Sequence, residues 1–188
     1  RIGKLFLKAG PGYGGSCLPK DVKALINFSK KLEIKSTLLS AVDQINKLQV
    51  EKILIKLQVI VGNPKNKQIA ILGTAFKSNT DDIRDSVAII LIKSLLKKGA
   101  LITVHDPMAI ENTRKIFKNK ISYSNSIKNT LKNTNCGIIM TDWKSYENIS
   151  NNDFSSMKNK IIIDSRRILK YMKLDIQYYA IGLGKSID

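Results

Sequence analysis

The apolar positions of this chain change their spacing about one third of the way along it. In the first third they recur every three or four residues, which is typical of helices. The spacing predicts one helix that begins at Pro19, a residue suited to the first helical position, and a longer helix from about Ser36 to Val61. The long helix is expected to stop at Gly62-Asn63-Pro64, because glycine and proline end helices.

From Gln68 onward, short apolar runs alternate with helical patterns. The predicted strands are Ile69–Leu72, Leu101–His105, Cys136–Met140, Lys160–Asp164 and Tyr178–Ile181. The predicted helices are Val87–Lys98, Ala109–Phe117 and Ile127–Lys132, and Ser86 is expected to cap the first of them. Alternating strands and helices are typical of a parallel, doubly wound sheet, which binds ligands at the carboxyl ends of its strands.

The predicted fold is therefore α/β, with a long connector helix followed by a Rossmann-like doubly wound parallel sheet. Residues 1–64 form a glycine-rich loop and a central helical segment, and residues 65–188 form the sheet domain. The long helix is apolar on more than one side toward its end, so it requires a partner. Two interpretations stay open: it packs against a second subunit, or it only covers the next domain.

The net charge of +17, from 32 basic and 15 acidic residues, would attract anions. Lysine and asparagine are spread along the whole chain, which favours a compositional bias over a binding patch. Few aromatic residues lie between the basic ones, which argues against a single-stranded nucleic-acid-binding surface. A basic nucleic-acid-binding protein is therefore the weakest interpretation, and an anionic small ligand stays compatible.

The cysteines and the one histidine exclude other classes of site. Cys17 lies in a glycine-rich loop and Cys136 in an apolar run, a pair that fits a reducing cytoplasm better than a secreted disulfide framework. His105 has no Cys/His cluster around it, so no metal site is predicted. No run of about 18 apolar residues occurs, so no membrane-spanning helix is predicted.

The richest chemistry lies in the segment from Gly10 to Asp21. Its glycines allow backbone N–H groups to approach a phosphate, and Cys17 comes just before a predicted helix start, where partial positive charge favours a thiolate. Lys20 adds a cation, and Asp21 follows one turn later. A reactive thiol beside a carboxylate can attack a carbonyl, but a small cysteine in a tight turn is an equally good interpretation of these residues alone.

The motif Gly12-Tyr-Gly-Gly-Ser-Cys-Leu-Pro-Lys-Asp21 resembles the cysteine motif of the UDP-glucose/GDP-mannose dehydrogenase family. Arg1-Ile-Gly and Phe6-Leu-Lys-Ala9 are similar to the same family at the same distance from the cysteine. Ile69–Ser86 resembles the opening of its C-terminal domain, and Asp164-Ser-Arg-Arg167 resembles a turn in which glycine usually follows the aspartate. The likeness covers nearly the whole chain, from Arg1 to about Gly184.

This resemblance implies a role for each matching residue. Cys17 would be the nucleophile, Asp21 would order or activate a water, and Lys20 and Arg84 would contact NAD. The implied substrate-binding residues are Arg1, Phe6, Lys8, Gly12, Tyr13, Gly14, Phe76, Lys77 and Arg166. For Lys77 and Arg84 an ordinary solvated charge is the alternative, and for Arg1 a frayed terminus. Trp143 is interpreted as a packing residue, Cys136 as a buried strand residue, and His105 and Asp106 as turn residues.

The implied activity is oxidation of UDP-glucose to UDP-glucuronate with two NAD, through a cysteine thiohemiacetal and thioester, in a cytoplasmic homodimer. Alternatives are a UDP-N-acetyl-sugar or GDP-mannose dehydrogenase, or a non-catalytic nucleotide-binding module in which Cys17 is structural. Family members carry an NAD-binding domain and a catalytic lysine, asparagine and glutamate before the cysteine. The chain opens on Arg1 without them, so it is interpreted as a C-terminal fragment that lacks dehydrogenase activity by itself.

Overall fold

A computed structural model describes Gly3 and residues 10–182 of the chain. The glycine loop leads into α1 (Leu18–Lys31) and the long α2 (Thr37–Val61). The remaining helices are α3 (Val87–Lys97), α4 (Ile110–Phe117), α5 (Ile127–Leu131) and α6 (Asn151–Phe154). The strands are β1 (Gln68–Leu72), β2 (Leu101–His105), β3 (Ser122–Tyr123), β4 (Cys136–Ile139), β5 (Ile161–Asp164) and β6 (Gln177–Ala180). Short 3₁₀ helices cover Lys118–Lys120 and Lys144–Asn148.

The six strands form one parallel sheet in the order β3-β2-β1-β4-β5-β6. This order is that of a doubly wound Rossmann sheet, and it reverses direction between β1 and β4. The predicted fold is therefore confirmed, including the long connector helix. The pattern did not predict β3, because a two-residue edge strand is too short to show a period, nor did it predict α6, which lies in a polar stretch.

The two faces of the sheet bury different layers of helices. On one face, the second half of α2 packs with α3 against alternate strand residues, and Ile53 and Leu57 of α2 are fully buried there. The other face packs against Trp143, Tyr146 and Phe154. Burying a side chain such as Leu57 contributes about 2 kcal/mol. The connector helix is thus part of the sheet domain's core, and it positions the loop that precedes it in sequence.

The outer side of the two N-terminal helices is apolar and exposed. On α1 only Pro19 and Ile26 are buried, while Leu25 and Phe28, and Leu32 directly after the helix, are more than half exposed. On α2 the exposed apolar side chains are Leu38, Ile45, Leu48, Ile55 and Val59. Among the residues that the structure describes, no helix combines the length and the hydrophobicity that crossing a membrane requires.

Candidate functional site

The glycine loop is held against α2 by one asparagine side chain. The Tyr13 backbone N–H donates to Asn46 Oδ1 at 2.8 Å, and Asn46 Nδ2 donates to the Tyr13 carbonyl at 3.0 Å. A side chain at Gly12 would collide with the Asn46 amide, since an added Cβ would lie 2.6 Å from Oδ1. Glycine is therefore required at Gly12 for this contact, and α2 sets the position of the loop. The sequence patterns did not single out Asn46.

The same loop also packs against the carboxyl end of the sheet. The Gly15 N–H donates to the Arg84 carbonyl at 2.8 Å, in the segment between β1 and α3. A Cβ at Gly14 would lie 2.4 Å from the Asp85 carbonyl oxygen, and one at Gly15 would lie 2.7–2.9 Å from the Phe76 ring. The missing side chains thus let the loop approach within contact distance of the sheet domain.

Cys17 lies at the N-cap position of α1, and its side chain is exposed. The helix begins at Leu18, so Pro19 is its second residue rather than the predicted first one. The Asp21 N–H donates to the Cys17 carbonyl at 2.8 Å, which places the aspartate in the first turn. Lys20 Nζ lies 3.5 Å from Asp21 Oδ1, and both side chains are largely exposed. The structure thus collects a thiol, a cation and a carboxylate at one helix N-terminus.

The loop after β1 orients Arg84 through Asp82. The guanidinium donates to the Asp82 carboxylate at 2.7–3.0 Å, and the backbone N–H of Phe76 donates to the Asp82 carbonyl at 3.1 Å. The hydrogen bond from Arg84 lowers the pKa of Asp82, and that same bond raises the pKa of Arg84. Lys77 Nζ lies 5.5 Å from the centre of the Phe76 ring, and the lysine is exposed. Lys77 is thus exposed to solvent, whereas the exposed Arg84 has its Nε and Nη2 engaged by Asp82.

Arg166 bridges the ends of β4, β1 and the glycine loop. Its Nε donates to the Met140 carbonyl at 2.9 Å, and its Nη2 donates to the Phe76 carbonyl at 3.4 Å. Burial lowers the pKa of Arg166. A Cβ at Gly10 would lie 2.6 Å from its Nη1, so the guanidinium covers that glycine. Arg166 is thus part of the scaffold that joins the loop to the sheet.

Ser165 fits the turn that usually contains glycine. The left-handed position of this turn belongs to Arg167, whose φ is 57°, so no glycine-like backbone is needed at Ser165. The buried Ser165 hydroxyl donates to the Ile139 carbonyl, and the Asp164 carboxylate accepts from the Arg166 and Leu169 N–H groups. Burial raises the pKa of Asp164. The departure from the family pattern is accommodated by hydrogen bonds within the turn.

Asp106, which the sequence assigned only to a turn, holds the segment after β1 in place. Its buried carboxylate accepts from the N–H groups of Thr74 and Ala75 at 2.7 and 3.0 Å, in the turn that leads to Phe76. Trp143, predicted to be a packing residue, is buried as expected and also donates its indole N–H to Asp106 at 3.2 Å. The signal available in the sequence was an aspartate directly after a buried strand, where functional side chains of parallel sheets collect.

Two other residues differ from their predicted roles. His105 ends β2 as predicted, but its ring is buried, with Nδ1 2.9 Å from the Tyr146 hydroxyl, and burial lowers its pKa. Ser86 precedes α3 as predicted, but its hydroxyl does not cap the helix. It donates instead to the Thr74 carbonyl at 2.7 Å, because Thr74 lies beside it at the end of β1. The buried His105 and Ser86 side chains thus form hydrogen-bonding contacts inside the fold, near the carboxyl end of the sheet.

The structure brings most of the proposed site residues to the carboxyl end of the sheet. The assembled residues are Gly12, Tyr13, Gly14, Cys17, Phe76, Lys77, Arg84 and Arg166, with Lys20 and Asp21 on the adjoining first turn of α1. Arg1, Phe6 and Lys8 lie outside the described residues. Arg84 lines an open cleft of about 620 Å³ together with Lys115, Asn112, Asp81 and Asp82. Among residues 10–182, no three His, Cys, Asp or Glu side chains come close enough to hold a metal.

Comparisons with known proteins agree with this architecture. Residues 70–171 match the UDP binding domain of the UDP-glucose/GDP-mannose dehydrogenase family, and residues 1–48 match its central domain. A UDP-glucose 6-dehydrogenase of Rickettsia bellii is 39% identical over 188 residues, which are 97% of this chain and 43% of that protein. One of Haloferax volcanii is 41% identical over 169 residues, which are 90% of this chain and 39% of that protein.

A solved structure shows the same arrangement. The UDP-glucose dehydrogenase of the archaeon Pyrobaculum islandicum superimposes with a TM-score of 0.87 at 32% identity, and covers 98% of this chain and 41% of that one. The chain thus spans about two fifths of the length of the relatives that it matches.

Proposed function

We propose a function for this chain from the fact that it belongs to the UDP-glucose/GDP-mannose dehydrogenase family. It is the nucleotide-sugar-binding and cysteine-bearing part of an NAD-dependent dehydrogenase that oxidises UDP-glucose to UDP-glucuronate. The observation that carries this proposal is the docking of the cysteine loop onto the carboxyl end of the parallel sheet, at the switch point between β1 and β4. Ligands of open α/β sheets bind at this position.

The exposed thiol of Cys17 supports the covalent part of the proposal. The sulfur adds to the carbonyl carbon of the C6 aldehyde, and the carbonyl oxygen takes a proton to give a thiohemiacetal. NAD would accept the hydride in both oxidations, that of the C6 alcohol to the aldehyde and that of the thiohemiacetal to the thioester. After the second oxidation, water attacks the thioester carbonyl and the C–S bond breaks, which returns the thiolate. We assign Asp21, which lies one turn after Cys17, the role of orienting that water or accepting its proton.

The cations around the loop are suited to the phosphates of both ligands. Arg84 donates its Nε and Nη2 to Asp82, and the open cleft beside it is lined by a second cation, Lys115, and by the carboxylates of Asp81 and Asp82. We assign the remaining donors of Arg84 to the phosphates of NAD, and Lys20 at the start of α1 adds a further positive charge. Phe76, which lies against the glycine loop, and Lys77, whose Nζ is 5.5 Å from the Phe76 ring, are assigned to the nucleotide-sugar.

A calorimetric titration with UDP-glucose, UDP and GDP tests the substrate class. We expect the chain to bind the UDP species, and Lys77→Ala to weaken that binding at least about tenfold, because one charge-assisted contact to phosphate is worth about 1.5–3 kcal/mol. Lys97→Ala is the matched control, since Lys97 is an exposed lysine in the last turn of α3, at the opposite end of the sheet. Preference for GDP would move the substrate to the GDP-mannose branch. Equal losses in both variants would contradict a phosphate-binding role for Lys77.

The exposed stripe on α2 supports the proposal of a homodimer. Leu38, Ile45, Leu48, Ile55 and Val59 recur at intervals of seven, three, seven and four residues, which is the spacing of a coiled-coil seam. The stripe is roughly 30 Å long, from the helical rise per residue. An exposed apolar seam of that length is typical of an interface between subunits.

We therefore expect light scattering to give twice the mass of the chain, and Leu48→Asp with Ile55→Asp to give the monomer mass. A carboxylate in the centre of an apolar interface would be buried without a partner, which disfavours association. Ile116→Asp serves as the control, because Ile116 is a similarly exposed isoleucine on α4, away from the stripe. A dimer that survives both α2 substitutions would show that the pairing surface lies elsewhere.

A further inference from the structure

The Asp106 carboxylate lies in a pocket made almost entirely of backbone N–H groups. Oδ2 accepts from Thr74 and Ala75, and Oδ1 accepts from Met108 and Ala109 at 2.9 and 2.8 Å. The indole N–H of Trp143 is the fifth donor. The side chain is buried, and none of the ion pairs within residues 10–182 involves it. Within the described residues the partners of this carboxylate are therefore neutral N–H donors, four of them backbone amides, as in sites that bind free anions.

The pocket lies at the turn where dinucleotide-binding Rossmann sheets hold a phosphate. The turn after the first strand of a dinucleotide-binding Rossmann sheet is where backbone N–H groups hold a phosphate. Here the corresponding turn is Gly73-Thr74-Ala75, with Gly73 at a φ of +94°. The two N–H groups that a phosphate would use at Thr74 and Ala75 are occupied by a carboxylate from the end of the neighbouring strand β2.

We propose that Asp106 is a positioning and specificity-determining residue that acts as a built-in anion. Its carboxylate fills the anion pocket at the end of β1, so that ligand phosphates are excluded from that turn. The same hydrogen bonds fix Thr74 and Ala75, and thereby place Phe76 and Lys77, the next two residues of the chain. This inference rests on the proposed function only in assigning Phe76 and Lys77 to the nucleotide-sugar.

The contacts around the turn support this role. The Thr74 carbonyl accepts from the Ser86 hydroxyl, and the Thr74 hydroxyl lies 2.8 Å from that of Thr113. The Ala75 carbonyl accepts from the Thr141 hydroxyl at 2.7 Å. Both N–H groups and both carbonyls of Thr74 and Ala75 are thus paired, and Asp106 supplies the one carboxylate among their partners. Phosphates are left to the outer cations, Lys77 and Arg84, which are both exposed.

The test removes the Asp106 carboxylate by substitution and supplies formate in solution as its replacement. In Asp106→Ala the amide pocket is empty, and formate has the size and charge of the missing carboxylate. We expect the variant to bind UDP at least about tenfold more weakly than the unaltered chain in sodium chloride, at a temperature where circular dichroism shows it folded. Sodium formate at equal ionic strength should restore UDP affinity in a saturable way, and should raise the Tm of the variant.

The unaltered chain should show the same Tm and UDP affinity in both salts, because its pocket is filled. Leu131→Ala is the matched control: it also empties space at a fully buried position, but an apolar one, so formate should not rescue it. Asp106→Asn keeps the volume of the side chain while replacing one acceptor with a donor, so we expect weak UDP binding that formate does not restore. If Asp106→Ala does not fold in chloride, formate-dependent recovery of the folded signal is the readout.

Two results would overturn the inference. Full UDP affinity of folded Asp106→Ala in chloride would show that the carboxylate does not position Phe76 and Lys77. A formate response no larger than that of Leu131→Ala would show that the amides form no anion pocket. Failure of the unaltered chain to bind UDP would instead contradict the proposed function, and formate-dependent stabilisation of Asp106→Ala would still decide whether the pocket exists.

Discussion

Cys17 is expected to react with iodoacetamide at least about a hundredfold faster than Cys136 near neutral pH, because only a thiolate attacks and only an accessible one is reached. Cys136 is fully buried in β4, and burial raises its pKa to about 12, so almost none of it ionises near neutral pH. Cys17 is exposed at the N-cap position of a 14-residue helix, so the reagent can reach its sulfur.

Mass spectrometry of the two cysteine peptides over time measures both rates in one sample. Cys17→Ser should abolish the fast phase and Cys136→Ala should leave it unchanged. Exposure alone could explain fast alkylation of Cys17. The alkylation rate is therefore also measured with UDP-glucose present, which distinguishes a cysteine in the substrate site from an ordinary surface cysteine. If Cys17 lies in the nucleotide-sugar site, saturating UDP-glucose should slow its alkylation and leave that of a free thiol compound unaffected. Equal rates at the two cysteines would contradict the proposed role of Cys17.

Gly73→Ala is expected to destabilise the fold by about 3 kcal/mol, a large share of the roughly 5–15 kcal/mol that a domain of this kind has. Gly73 has a φ of +94°, a conformation that costs an alanine about 1–2 kcal/mol. An added Cβ would also lie 2.4–2.8 Å from the Cβ, hydroxyl and backbone N of Thr141. These atoms belong to a fully buried residue after β4, so they cannot move away without disturbing the strand ends.

Urea unfolding of Gly62→Ala isolates the two contributions. Gly62 also has a positive φ, +76°, but no atom lies within 4 Å of a Cβ there. Gly62→Ala should therefore cost only the backbone term, about 1–2 kcal/mol, and the difference between the variants measures the collision with Thr141. If Gly73→Ala and Gly62→Ala lower the free energy of unfolding equally, the ends of β1 and β4 have more room than their geometry indicates. Because Gly73 begins the turn that Asp106 holds, Gly73→Ala should also weaken UDP binding.

The predicted elements agree with the structure wherever their signal was local. The long helix begins and ends within a residue of its expected bounds, and β2 spans Leu101–His105 as predicted. Buried parallel strands are short apolar runs, and glycine or proline marks their ends, so such elements can be located from neighbouring residues alone. The edge strand β3 and the polar helix α6 were missed because neither has enough apolar residues to produce a pattern.

Some residues of the candidate site could be identified from their neighbours in the sequence, and others only from contacts in the structure. Cys17, Asp21 and the glycines were found because they are adjacent in sequence and their types are suited to covalent attack and phosphate binding. Asn46 and Asp106 were not, since their roles depend on contacts 33 and 32 residues away, with Tyr13 and Thr74. A side-chain amide or carboxylate carries no mark in the sequence of which backbone groups it will meet.

By itself, the sequence determined the class of fold, the order of its elements and the family to which the chain belongs, because each is encoded in local patterns and contiguous motifs. Only the tertiary structure decided that α2 packs into the core of the sheet domain, that the glycine loop docks between α2 and the ends of β1 and β5, and that Asp106 fills an amide pocket. These features depend on the strand order, which places β1 beside both β2 and β4. Residues far apart in the chain meet there, and burial makes each polar group require a specific partner.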